Sequence, residues 1–186
     1  MRGEKNHNNE FIVIFRGKYN NEAGIEVLSA ASYELKNFPI RIWVYMPGIP
    51  KEIKFANNTI VRSEFLTKLE ISKLLQKSDL SLGQLQKHKR LSRTIPHKAY
   101  ESAYLSKPYL TARSNGILEI FEENKEVLCF TAGDSSQLSE TIIQCYKHRK
   151  KLPIIGKRMH TKYVHNYSQD KLANQFLNHI LASSDE

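Results

Sequence analysis

Short unbroken apolar runs alternate along this chain with longer stretches whose apolar residues recur every three or four positions. Phe11-Ile12-Val13-Ile14-Phe15 is the longest run, β-branched and aromatic, and predicts a strand buried on both faces. After Gly17, the segment Gly24 to Lys36 carries Ile25, Leu28, Ala31 and Leu35 close to helical spacing. Arg41 to Tyr45 reads as a second strand, stopped by the turn signal Pro47-Gly48-Ile49-Pro50, and Thr59 to Arg62 as a short third. Thr67 is placed to cap a helix from about Lys68 to Lys77. Leu80 to Gly83 predicts a fourth strand, Tyr109 to Thr111 a fifth and Val127 to Thr131 a sixth. The polar, basic stretch Gln84 to Thr94 predicts a loop, and Pro96 the first turn of a helix through Tyr100 to Leu105. Gly133-Asp134-Ser135 starts a long helix reaching about Arg149, and from Ser168 on Leu172, Phe176, Leu177, Ile180 and Leu181 outline an amphipathic terminal helix.

Strands alternating with helices predict right-handed crossovers and a doubly wound, mostly parallel, Rossmann-like α/β sheet with helices on both faces. Such sheets bind ligands beyond the carboxyl ends of their strands, where helix N-termini aim free amides at anions. The loops after Phe15, Tyr45, Arg62, Gly83 and Thr111 are therefore the ones to search. The domain division expected is a polar extension over 1–10, one α/β domain over 11–167, and a terminal helix and tail over 168–186.

The 186 residues suffice for one good core, and 28 Lys+Arg against 19 Asp+Glu leave a net charge of +9. That balance favours anionic partners, although a solvated basic surface accounts for it equally well. No apolar run approaches the ~20 residues of a membrane-spanning helix, and the polar N-terminus is not a secretory signal. Cys129 and Cys145 have neither metal-site spacing nor the density of a disulfide scaffold. The histidines show no ligand spacing, and no G-x-S-x-G, Walker A or G-x-G-x-x-G motif occurs. A soluble, cytoplasmic protein is expected. Cys129 reads as a small core residue, and Tyr100 and Tyr104 as a packed pair rather than a base-stacking platform.

Arg93 to Pro108 carries the strongest candidate chemistry: it follows a strand, opens a helix and runs into the next strand. Pro96 sets the helix start, Lys98 adds positive charge near the free amides, and Glu101 could accept from two vicinal hydroxyls of a ribose. A capped helix with a solvated Lys and Glu explains the same spacing.

The pattern R-x-I-P-x-K-x-Y-E-x-A-x-x-x-K-P over this stretch is similar to the donor-nucleotide helix of family 4 glycosyltransferases, which have the GT-B fold of two Rossmann-like halves. Residues 15 to 31, Ser78 to Gly83 and Glu126 to Leu138 resemble, in the right order, further segments of the C-terminal, nucleotide-sugar-binding half. The resemblance implies a glycosyltransferase whose donor is a nucleoside-diphosphate sugar and whose acceptor is a saccharide or lipid-linked, transfer retaining the anomeric configuration. It implies Glu101 on the ribose hydroxyls, Lys98 with Arg16 or Lys18 on the diphosphate, and Gly17 for close backbone approach. Arg62 and Ser63 would lie near the base and Arg93 near the sugar or phosphate. No metal site or cofactor is implied, and no residue stands out as a catalytic base.

The sequence departs from the family pattern at two positions: Arg93 stands where many members carry the first Glu of an E-x7-E pair, and Ala23 precedes Gly24 where a Lys is usual. The polar N-terminal residues do not supply an acceptor-binding half, which the resemblance assigns to the rest of a longer chain or to a separate subunit. A non-catalytic nucleotide-sugar-binding or regulatory subunit of the same fold is the alternative. Two acid-free basic clusters stand out, Lys87 to Lys98 and Lys147 to Lys162. The first flanks the expected diphosphate site; the second faces either solvent or an anionic membrane surface, a peripheral place on its inner face. Interleaved aromatics or a recognition helix are lacking, so nucleic acid is not an expected partner.

Overall fold

The computed structural model describes residues 10–183, so most of the expected N-terminal extension and the last three residues of the tail lie outside the described residues. Glu10, the one described residue of that stretch, sets its carboxylate 2.7 Å from the Arg41 guanidinium.

Six parallel strands form one open sheet in the order β3-β2-β1-β4-β5-β6. They are β1 (Phe11–Arg16), β2 (Ile40–Tyr45), β3 (Thr59–Arg62), β4 (Leu80–Leu82), β5 (Tyr109–Ala112) and β6 (Leu128–Phe130). Strand β1 is central and buried along nearly its whole length, as its unbroken apolar run demands. Chain order reverses between β1 and β4, which makes their carboxyl ends the switch point of the sheet, the place where such folds open a crevice.

Helices cover both faces. On one, α1 (Ile25–Leu35) and α5 (Ser135–Lys147) pack over Phe11, Val13, Phe15, Leu80, Leu82 and Leu110. On the other, α3 (His97–Tyr104), α4 (Asn115–Ile120) and α6 (Leu152–Lys162) enclose Tyr109, Ala99, Ile117 and Met159. Helix α2 (Lys68–Lys77) links β3 to β4 and starts with a full capping box: Thr67 Oγ1 accepts from the Glu70 N–H, and the Glu70 carboxylate accepts from the Thr67 N–H.

The expected strands and the helices at α1, α2, α3 and α5 are present within one or two residues. Two helices were not expected. Helix α4 is short and capped by Ser114. Helix α6 occupies the basic stretch after Arg149, where Leu152, Ile155 and Met159 turn inward. Gly156 lets this helix touch the chain at Ser106, whose carbonyl leaves no room for a Cβ. The predicted loop Gln84 to Thr94 contains a 3₁₀ turn, Lys89–Ser92, started by His88 Nδ1 accepting from the Arg90 N–H. Tyr100 and Tyr104 pack against Tyr163, with ring centroids 6.2 and 6.3 Å away. A π-helical turn, Tyr163–Tyr167, leads into α7 (Gln169–Ser183), on which Leu172, Phe176, Leu177 and Leu181 stay exposed.

Candidate functional site

The carboxyl end of β1 turns sharply at Gly17, whose φ of +147° disfavours any side chain. Its N–H donates to the Tyr45 carbonyl at 3.1 Å, hooking this loop onto the end of β2. The loop then reaches Gly24, with φ +68°, at the start of α1. A Cβ there would lie 2.7 Å from the Gln86 nitrogen and 2.9 Å from the Leu85 carbonyl carbon, so only glycine lets the α1 start meet the loop after β4. Glu22 ties the same loops together: Arg90 Nε donates to its Oε1 at 2.6 Å, and this bond holds the Glu22 carboxyl below its usual range.

Arg16, the last residue of β1, is 6 % exposed and points under α3. Its Nη2 lies 2.5 Å from Glu101 Oε2. The charges meet, yet Arg16 Nε and Nη2, Glu101 Oε2, Gln84 Oε1 and Tyr109 OH are all buried without a completed hydrogen bond. Native interiors leave few such groups, and clusters of them mark sites with work to do. Lys98, one turn before Glu101, sets its ammonium 4.7 Å from the Phe15 ring centre and 3.4 Å from the Gly83 carbonyl, to which it donates. Burial, with the nearby Arg16 guanidinium adding to it and Glu101 opposing it, brings the Lys98 ammonium down to about 7. A cation so poised gains most from an arriving anion.

Beside this group is a cleft of about 170 Å³ between the ends of β1 and β2 and the β3–α2 connection, lined by Gly17, Lys18, Tyr45, Glu64, Phe65 and Ile71 among others. Larger clefts of about 710 and 900 Å³ lie against α6 and against β6 and α5, and neither includes a residue of the Arg16–Glu101 group.

The structure therefore brings Arg16, Gly17, Lys98 and Glu101 into one group, with Lys18 exposed at its edge. Arg62 ends β3 and Ser63 follows it, both exposed and adjacent in the chain to the cleft residues Glu64 and Phe65. Arg93 is exposed and closes the 3₁₀ turn ahead of α3. Sequence reasoning did not single out Tyr109, Gln84, Glu64 or Phe65. Only Phe65, an aromatic ring next to Leu66 in an otherwise polar connection, left a signal to follow.

Of the first basic cluster, Arg90 is already committed to Glu22. In the second, Lys162 pairs with Glu126 at 2.9 Å and Arg149 stacks over Tyr146. Burial pushes the Cys129 and Cys145 thiols up to about 12. Among the described residues, no group of three His, Cys, Asp or Glu converges as a metal site would need, and no helix is long and apolar enough to cross a membrane.

A family model described as glycosyl transferase-like matches residues 25–178. No curated protein matches the sequence. Among solved structures, the chain is similar to the C-terminal domain of a glycosyl transferase group 1 family protein, LpcC, from Francisella tularensis. The TM-score is 0.68 at 14 % identity, over 86 % of this chain and 87 % of that one. It is similar to HepE of Anabaena, solved in complex with UDP-glucose, with TM-score 0.75 at 16 % identity over 95 % of this chain and 50 % of that one. It is also similar to sucrose-phosphate synthase from Thermosynechococcus elongatus, with TM-score 0.76 at 13 % identity over 94 % and 46 %. This chain thus spans about half the length of the last two.

Proposed function

The chain belongs to the glycosyl transferase-like family, and we propose that its part in glycosyl transfer is to hold the donor, a nucleoside-diphosphate sugar, at the carboxyl ends of β1 and β4. The observation that carries this reading is the Arg16–Glu101–Lys98 group: an anchored carboxylate and a desolvated cation, one helical turn apart, at the switch point of the sheet. Glu101 keeps one oxygen against Arg16 and, with its side chain 43 % exposed, offers the other to two ribose hydroxyls. Lys98 and Lys18 supply charge for the diphosphate, and Gly17 lets it approach the backbone. The cleft before Phe65 takes the base, next to Arg62 and Ser63, while Arg93 faces the sugar or phosphate. These residues bind and orient; none is assigned as a catalytic base.

In this reading the glycosyl group passes, with its anomeric configuration retained, to a saccharide or lipid-linked acceptor held by an acceptor-binding half. The basic stretch from Lys147 is the surface that would meet an anionic membrane. A second reading, a subunit that binds nucleotide sugar without turnover, has one observation in its favour. Ala23 is buried at the start of α1, so that position cannot supply a phosphate-binding cation.

Calorimetric titration with nucleoside diphosphates tests the donor site. Saturable binding that Glu101→Ala weakens by roughly 1–3 kcal/mol is expected for a lost charged hydrogen bond. Equal affinity in a folded Glu101→Ala protein would remove Glu101 from the ribose.

A further inference from the structure

We propose that Glu64 reads the base of the bound nucleotide and that its carboxylate selects guanine. This rests on the donor site argued above and adds the class of nucleotide.

The cleft beside Gly17 holds about 170 Å³, below the ~300–1,000 Å³ of pockets that enclose a whole ligand. It suits one planar part of a larger molecule. Tyr45, Pro47, Leu66 and Ile71 give it apolar walls. Phe65 stands at its rim with 74 % of its surface exposed, a large cost for an aromatic ring unless something flat lies on it. Base–aromatic stacking answers that need and is tolerant of base identity, so Phe65 supplies affinity without choosing.

Glu64 supplies the choice. It lines the same cleft, is exposed, and makes no hydrogen bond or ion pair among the described residues. An ionised carboxylate is an acceptor only. Guanine presents two adjacent donors on its Watson–Crick edge, the N1–H and the N2 amino group, which match the two oxygens of one carboxylate. Uracil offers a single N3–H between two carbonyl oxygens, so pairing sets an oxygen against the carboxylate. Adenine and cytosine each pair one amino donor with a ring-nitrogen acceptor and satisfy half of the group. Specificity comes from the count of matched donors: guanine satisfies both carboxylate oxygens at once, and each other base at most one.

The test titrates the 186-residue chain calorimetrically with GDP, UDP, ADP and CDP, then repeats it for Glu64→Gln and Phe65→Ala. GDP is expected to bind tightest, and Glu64→Gln to weaken GDP alone by roughly 10- to 100-fold, the range of a hydrogen-bonded charge. Phe65→Ala is expected to weaken all binding nucleotides alike, by roughly 5- to 150-fold. Wild-type binding that does not favour GDP overturns the inference and leaves the donor site standing. A preference for GDP that survives Glu64→Gln overturns Glu64 as the reader. If none of the four nucleotides binds, the donor-site reading falls and this inference with it.

Discussion

Arg16 and Glu101 are 85 positions apart in the chain, and the guanidinium of one lies 2.5 Å from the carboxylate of the other. Arg16 is nearly fully buried while Glu101 is partly exposed, so the pair joins the floor of the crevice to its rim. A buried cation depends on its partner more than an exposed carboxylate does.

Glu101→Ala should therefore destabilise the fold by about 1–3 kcal/mol, because it strands Arg16. Arg16→Met should cost less, since Glu101 can turn to water. In the double variant the loss should be smaller than the sum, a coupling that urea unfolding of all four proteins measures. Additive losses would mean that the two charges do not interact.

Lys98 binds its proton less firmly in the fold than in the unfolded chain. Between pH about 7 and its ordinary 10.5 the unfolded chain holds more protons, so this residue makes stability rise with pH across that window. The slope from one such group approaches at most about 1.4 kcal/mol per pH unit. Urea midpoints of wild type and Lys98→Met should converge in their pH dependence below about pH 7 and differ in slope above it. Parallel curves would show Lys98 to be solvated.

Gly24→Ala should be destabilising by more than about 1 kcal/mol, since it combines a left-handed φ with backbone atoms already within 2.9 Å of the new Cβ. Ala30→Gly, on the exposed side of α1, should cost only the helix-propensity difference of about 1 kcal/mol or less. Thermal unfolding ranks the two, and a milder effect at Gly24 would mean that the two loops do not touch.

The thiols of Cys129 and Cys145, pushed up to about 12 by burial, carry almost no thiolate near neutral pH. Iodoacetamide at about pH 8 should leave both unmodified in the native protein and alkylate both in urea. Mass spectrometry after each treatment reads the result directly.

The elements that the sequence made legible are those whose signal is local. The β1 run, the Thr67–Glu70 capping box of α2, the Pro47-Gly48 turn and the spacing of Ile25, Leu28, Ala31 and Leu35 each act within a few residues. Alternation of such elements is enough to specify a parallel, doubly wound sheet, because few connections between them are sterically allowed. That Glu101 and Lys98 share one helix start was legible for the same reason. By contrast, α6 hides in a basic stretch because its inner face is secured by a contact between Gly156 and Ser106, fifty residues earlier.

Which charge meets which was decided by the tertiary structure alone. The sequence left Arg16 and Lys18 equivalent as candidate diphosphate ligands; in the fold Arg16 is the last residue of β1 and buried beneath α3, whereas Lys18 lies past the turn at Gly17 and is exposed. It showed Arg90 in an acid-free cluster, and the meeting of two loops set Glu22 against it. The cleft shared by Gly17, Tyr45, Glu64 and Phe65 draws on three separate strand ends. Periodicity along a chain determines which face of an element is buried; only the packing of elements against one another determines what that face confronts.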